Sequence, residues 1–365
     1  MMEHSRRHLL NRAVWLGGAG FASAALIGCG EEKAAESAIV WNMVCSWGKE
    51  MPGLSDASLR LAELIQALSN GKMRVQVHFA DERCSAFEVF DHVATSKAEI
   101  GHSASYYWQG KSEAAPFFCA VPFGLNSHEM LSWLYAGGGL ELWQSLYRYF
   151  GLVPYPAGST DMQMAGWFKR ELRGLRSIRR LKIRAVGLAA EVLSRLGAEV
   201  QTVLPSEIAP ALESGALDAA EWMGPWNDMA LGLHRSARFY YFPGWQEPAM
   251  ILEALVNERA LAALPQPLKL AVENACKLLT QELQAAYAVR NQRALGELGT
   301  EGLVEIRRLP TDILAALRTT SDAVLNERVG NQALARAVLE SAFAFREQTR
   351  QWQQLSSLAY FQARG

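Results

Sequence analysis

Cysteine is scarce in this chain, five in 365 residues. None lies in a Cys-x-x-Cys pair or at zinc-ligand spacing, which excludes a zinc ribbon and a dense disulfide framework. Past the amino terminus, Cys45, Cys84, Cys119 and Cys276 are expected as buried free thiols. Histidine is nearly as rare, at seven, and no His-Glu-x-x-His motif suggests a zinc protease. The one approach to a nucleophile elbow, Gly101-His102-Ser103-Ala104-Ser105, ends in Ser where the tight turn needs Gly. Ala136-Gly137-Gly138-Gly139-Leu140 lacks the Lys-Ser/Thr ending of a phosphate loop and reads as a turn entering a helix. Charge of either sign lacks an excess: 36 Lys and Arg face 37 Asp and Glu, a formal net charge of −1. Nothing in that balance calls for nucleic acid.

Long apolar runs are missing as well, except near the start. Ser5-Arg6-Arg7-His8-Leu9-Leu10 is a twin-arginine export signature, followed by an apolar stretch over residues 13–27. That stretch is too short and too rich in small residues for a membrane span. It ends in Leu26-Ile27-Gly28-Cys29, which resembles the lipobox of bacterial lipoproteins, with Cys29 as the lipidated first residue after cleavage. Residues 29–37 are polar and alanine-rich, the composition of a tether. Removing residues 1–28 subtracts three basic residues and one acidic, leaving 33 against 36, or −3. The expectation is a periplasmic protein, soluble apart from its anchor.

At this length, with 50% hydrophobic residues, the chain can bury a large core and is expected to form two lobes. Residues 39–46 read as a strand, 56–68 as a helix, 73–79 as a strand, 88–96 as a helix and 100–107 as a strand. Such alternation argues for a mostly parallel α/β sheet. Residues 130–143 carry an aromatic and aliphatic stripe best read as core. Residues 268–293, 313–328 and 332–361 carry helical apolar stripes.

The informative stretch is 217–226. A helix over 205–214 is closed by Gly215, suited to a left-handed cap. A short strand over 216–222 then stops at Gly224-Pro225, which cannot continue a central ladder. Glu221 therefore falls at the C-terminal end of a strand, where open α/β sheets place their ligands. Beside Trp222 and Trp226, that carboxylate needs a partner. Taken alone it fits an ion pair or a solvated strand end. Arg184 closes another strand, 181–184, just before Ala185-Val186-Gly187. The other Lys and Arg of residues 169–184 read as a solvated face, whereas a guanidinium at a strand end is suited to bidentate capture of a carboxylate.

These residues occur in a telling order. Gln163 precedes Leu181-Lys182-Ile183-Arg184, then Ala211-Leu212-Glu213-Ser214-Gly215-Ala216-Leu217-Asp218-Ala219-Ala220-Glu221-Trp222, then Tyr240-Tyr241-Phe242-Pro243-Gly244-Trp245-Gln246-Glu247. With Ser105-Tyr106-Tyr107-Trp108, Val121-Pro122-Phe123 and Ala136-Gly137-Gly138-Gly139, the chain resembles the extracytoplasmic solute receptors of TRAP transporters. It is most similar to the branch taking 2-oxoacids and lactate. The resemblance implies a two-lobed, type II-like periplasmic-binding-protein fold with a ligand cleft and a long C-terminal helix. It implies one lobe from residues 38–159 and about 247–295, a second from 160–246 and about 296–330, and a dimerisation helix over 331–365.

By the same resemblance, Arg184 pairs with the carboxylate of a small monocarboxylate, a 2-oxo or 2-hydroxy acid such as pyruvate or lactate. Gln163, Glu221, Glu247 and the Trp222 carbonyl would hold Na⁺ or Ca²⁺, hard cations that suit such oxygens. Tyr106, Tyr107, Trp108, Trp222 and Trp245 would line the cleft. Partners would be the acid, the TRAP permease subunits and a second copy. The chain departs from relatives that read Trp-Trp-Glu-Gly-Gly, having Trp245-Gln246-Glu247-Pro248-Ala249 instead. The reading from another class is an exported metal-assisted lyase or hydrolase with Glu221 and Glu247 as acid and base.

Overall fold

The computed structural model describes residues 38–365 except Glu301 and Leu303. The expected signal peptide at 1–28, the tether at 29–37 and the lipidation residue Cys29 lie outside the described residues. In chain order the strands are β1 (Ile39–Cys45), β2 (Met73–His78), β3 (Ile100–Ser103), β4 (Leu152–Met162), β5 (Gly166–Phe168) and β6 (Lys182–Arg184). They continue with β7 (Glu199–Gln201), β8 (Ala219–Ala220), β9 (Phe239–Phe242), β10 (Ala249–Asn257) and β11 (Glu305–Arg308). Two sheets result, ordered β2-β1-β3-β10-β4 and β11-β9-β5-β8-β6-β7.

The chain builds the first sheet through β4, crosses at residues 163–165 to build the second from β5 to β9, and returns at residues 243–248 to insert β10. It crosses a third time after the helix Gln266–Thr300 to add β11. The expected parallel pairing holds for β1 with β2 and β3, and for β6 with β7 and β8. The sheets are nonetheless mixed: β10 runs antiparallel to β3 and β4, and β5 runs antiparallel to β8 and β9. Those strands flank the crossings, where the chain enters a sheet from the other one rather than through a local βαβ unit.

Two strand boundaries differ from expectation. β3 stops at Ser103, and Ser105–Trp108 forms a 3₁₀ turn. A three-residue repeat lets neighbouring aromatic side chains leave in different directions. The strand expected over 216–222 keeps only Ala219 and Ala220, because its partners β5 and β6 are themselves three residues long. The helix Pro205–Ser214 stands as expected, with Pro205 in the first turn and Gly215 in left-handed conformation at φ 79°.

The helix Gln266–Thr300, about 52 Å at 1.5 Å per residue, packs on β4 and on the helix Leu54–Leu68, and also meets the helix Pro225–Ala230. The C-terminal helix Ala333–Gln353 continues through a π turn into Ala359–Ala363. The four described cysteines are buried free thiols. No helix among the described residues is long and apolar enough to cross a membrane.

Candidate solute and cation site

The two crossings and the end of β8 converge. Gln163 begins the first crossing, Trp245, Gln246 and Glu247 lie in the second, and Glu221 follows β8. Backbone bonds lace the three segments: Gln163 N–H donates to the Pro248 carbonyl at 3.0 Å, and Met164 N–H to the Met223 carbonyl at 3.0 Å. Gly244 permits the approach, since a Cβ there would stand 2.4 Å from the Gln163 carbonyl oxygen. Gln163, Trp245, Gln246 and Glu247 thus sit where the chain changes sheet, the segments that any relative motion of the sheets must bend.

Arg184 and Glu221 end neighbouring parallel strands, with Arg184 in register with Ala220. Both side chains are almost fully buried, 6% and 5% exposed. One guanidinium nitrogen, Nη1, donates to the Glu221 carboxylate at 2.7 Å and to its carbonyl at 2.9 Å. Arg184 Nε is buried with no hydrogen-bond partner. Its guanidinium carbon lies 5.1 Å from the centre of the Trp222 ring, within cation–π range. Burial raises the Glu221 carboxyl above its ordinary value, against the opposing pull of Arg184 and the Val186 backbone N–H.

Glu247 is half-buried, enclosed at depth but open to the crevice. Its carboxyl is pushed up to about 8, first by desolvation, then by repulsion from Glu221, with Arg184 pulling the other way. Gln163 is buried, and its Nε2 reaches Thr160 Oγ1 at 3.5 Å while Oε1 has no partner. Among the described residues no three His, Cys, Asp or Glu side chains cluster as a metal centre. The donors present are instead two carboxylates in mutual repulsion, an orphaned amide oxygen and backbone carbonyls. An all-oxygen set short of positive charge fits a hard cation.

Tyr106 and Tyr107 stack edge-on at 4.5 Å between centroids. Burial raises both phenols, and Tyr107 also feels Glu247 and Arg184, so both face the carboxylates in neutral form. Trp245 is buried against Phe123, with ring centroids 5.9 Å apart. A crevice joins Tyr106, Gln109 and Pro122 to Leu188, Ala189 and Glu247. It narrows to a cavity of about 10 Å³, room for no more than a water, so anything larger would enter only as the walls part.

Trp108 is placed elsewhere. Its indole N–H donates to Glu253 in the core of the first sheet, and its ring lies 5.3 Å from Phe90. Two residues given no role from sequence bear on the site, one by holding a loop and one by lining the crevice. Asp228 accepts from the Met223 backbone N–H at 3.0 Å and from Trp167 Nε1 and Tyr240 Oη at 2.8 Å each. It thereby holds the loop that carries Glu221 and the Trp222 carbonyl. Its position in the first turn after Gly224-Pro225, where an acidic side chain is favoured, is the only local signal it offered. Gln246, 1% exposed, donates from Nε2 to the Met164 carbonyl at 2.7 Å and leaves Oε1 unpaired.

With this geometry in hand, the comparisons with known proteins agree. Residues 43–331 match the bacterial extracellular solute-binding proteins, family 7 (DctP). The monocarboxylate 2-oxoacid-binding periplasmic protein of Nostoc sp. is 36% identical over 360 residues, 97% of each chain. A TRAP periplasmic solute-binding protein of Colwellia psychrerythraea, solved with bound calcium and pyruvate, superposes with a TM-score of 0.86. It is 33% identical, with 90% of this chain and 100% of that one covered. One from Pseudoalteromonas atlantica, solved with sodium and pyruvate, gives 0.84 at 34% identity, covering 89% and 99%. The chain belongs to the DctP family of extracellular solute-binding proteins, and its fold is that of the TRAP receptors. Membership sets binding and delivery, not catalysis, as its task, and the lyase or hydrolase reading falls away.

Proposed function

We propose that this receptor captures a small 2-oxo or 2-hydroxy monocarboxylate together with Na⁺ or Ca²⁺ and passes it to a TRAP permease. The observation that carries the reading is one guanidinium paired with the buried Glu221 and within the electrostatic reach of the half-buried Glu247. Arg184 keeps an unsatisfied Nε for an incoming carboxylate while Nη1 stays on Glu221. Gln163, Glu221, Glu247 and the Trp222 carbonyl would hold the cation, which supplies the positive charge that draws the acid's oxygens. Arg184, ionised Glu221 and Glu247 and the acid sum to −2, which Ca²⁺ cancels and Na⁺ halves. The relatives solved with pyruvate contain one ion or the other. Tyr106, Tyr107, Trp222 and Trp245 form the walls. Trp108 stands beside them, its ring 6.1 Å from that of Tyr107.

The sheets act as lobes, residues 38–159 and about 247–295 on one side and 160–246 and about 296–330 on the other. Mass spectrometry of the ligand carried by natively purified protein tests the whole. A short monocarboxylate is expected, and a C4-dicarboxylate or a sugar overturns the ligand class.

We further propose a homodimer through residues 331–365. Trp352, Leu355, Leu358, Tyr360 and Phe361 are all more than half exposed, an apolar run that a second copy would cover. A chain ending at residue 350 should sediment as a monomer, and dimers from it refute this role. Export by the twin-arginine route and lipidation at Cys29 rest on the sequence alone. Cys29→Ser should release the protein from membranes, and unchanged attachment removes the anchor.

A further inference from the structure

We infer that Gln246 is a specificity residue that reads a hydroxyl on the bound acid, so that hydroxylated short monocarboxylates are preferred over a plain 2-oxo acid. The inference rests on the binding reading above and deepens it. The Met164 carbonyl can only accept a hydrogen bond, so the atom of Gln246 that meets it at 2.7 Å must be the amide nitrogen. The orientation is thereby settled, and the leftover atom is the acceptor Oε1, buried and without a partner. Gln246 lines the crevice it shares with Tyr106, Leu188 and Glu247, and a second one shared with Glu221 and Trp245.

The polar groups around it are mostly acceptors or already committed. With the cation bound, the ionised carboxylates of Glu221 and Glu247 can only accept, Tyr106 is hydrogen-bonded to Tyr107, and Arg184 Nη1 is held by Glu221. What Oε1 lacks is a donor. A ketone oxygen and a carboxylate offer none. A hydroxyl does, and its oxygen stays free to face a cation. A buried acceptor left unpaired carries a desolvation cost, so the acid lacking the hydroxyl is disfavoured.

Calorimetry with pyruvate, lactate and 3-hydroxypyruvate, each with saturating Na⁺ and then Ca²⁺, tests this. In the unaltered protein lactate or 3-hydroxypyruvate should bind at least about tenfold more tightly than pyruvate. The better of the two locates the hydroxyl. Gln246→Met keeps the length and removes the acceptor. It also costs the Met164 carbonyl its donor, but that penalty falls on every acid and cancels in the ratio, which should collapse to near one. Pyruvate binding as tightly as both hydroxy acids overturns the inference while upholding the receptor reading, and needs no variant. A preference that persists in Gln246→Met also overturns it, as does a variant that loses cation affinity with no change between acids. Binding of none of the three defeats the ligand class, and the inference with it.

Discussion

The cores and the cleft of this molecule both bury carboxyl groups, and they treat them differently. Glu253, within the first sheet, receives the Trp108 indole N–H and, at 2.8 Å, the Tyr147 hydroxyl. Asp228 receives three donors. Burial lifts each to about 7 even so, but every donor comes from the chain and the arrangement is complete. Glu221 and Glu247 share one guanidinium, and the charge of each disfavours that of the other. Elevated carboxyls thus occur in both places, and elevation does not separate scaffold from site. What differs is the company each carboxyl keeps: the side chains that meet Glu253 and Asp228 are donors bonded to them, whereas Arg184 Nε, Gln163 Oε1 and Gln246 Oε1, near Glu221 and Glu247, have no partner.

The sharpest way to break the contrast is to remove the Arg184 guanidinium. Arg184→Ala should weaken acid binding by about 3–5 kcal/mol, since the carboxylates of Glu221 and Glu247 and the ligand then repel without relief. Arg184→Lys should recover part of it, keeping the charge without the planar fork, and cation affinity should change less than acid affinity in both. Acid affinity within a few-fold of normal in Arg184→Ala, by calorimetry, would return the arginine to the scaffold.

Next in size is the coupling between acid and cation. In chelator-treated protein, restored Na⁺ or Ca²⁺ should raise acid affinity by about 1–3 kcal/mol, with a reciprocal effect of acid on cation. Glu221→Gln should weaken both and shrink the coupling. Full acid affinity in stripped protein, untouched by that substitution, would reduce these carboxylates to supports. The Glu247 proton adds a signature. A cation ligand must be deprotonated, so cation affinity should rise with pH up to about 8 and binding should release protons. Heats that do not depend on the ionisation enthalpy of the buffer would refute it.

The smallest effect belongs to the completed carboxyl. A folded-state value raised to about 7 from 4.5 means stability present below pH 4.5 and lost as pH rises through 7, because only the unfolded chain ionises freely in between. Glu253→Gln should flatten that part of the pH–stability profile by on the order of 1–3 kcal/mol in urea unfolding, with acid binding unchanged. A shift in acid affinity instead would make Glu253 part of the site.

The cleft was legible from sequence wherever local rules applied. Gly215 in its cap and Glu221 and Arg184 at strand ends followed from chain-local preferences, and the ordered motifs tied them to a family. What stayed hidden was long-range. The antiparallel insertion of β10 depends on a pairing between Glu253 and Ser103 that no periodicity announces. Trp108 looked like its neighbours Tyr106 and Tyr107. Its partner Glu253 stands 145 residues away in sequence, inside an apolar run where one carboxyl draws no notice. Asp228 was silent for the same reason, its aromatic donors arriving from β5 and β9.

The long helix Gln266–Thr300 has an optical consequence. Asn291 accepts from the Trp226 backbone N–H at 3.1 Å, Tyr287 meets that indole edge-on at 5.0 Å, and the Arg290 guanidinium lies 4.3 Å above it. Asn227 next to it donates to the Pro52 carbonyl at 2.8 Å. Trp226 is therefore gripped by elements that pack on the first sheet while standing five residues beyond Glu221 on the second. Its emission should therefore follow that grip, so that lobe closure would be readable by light in a sample with no added dye, and Trp226→Phe should remove the change.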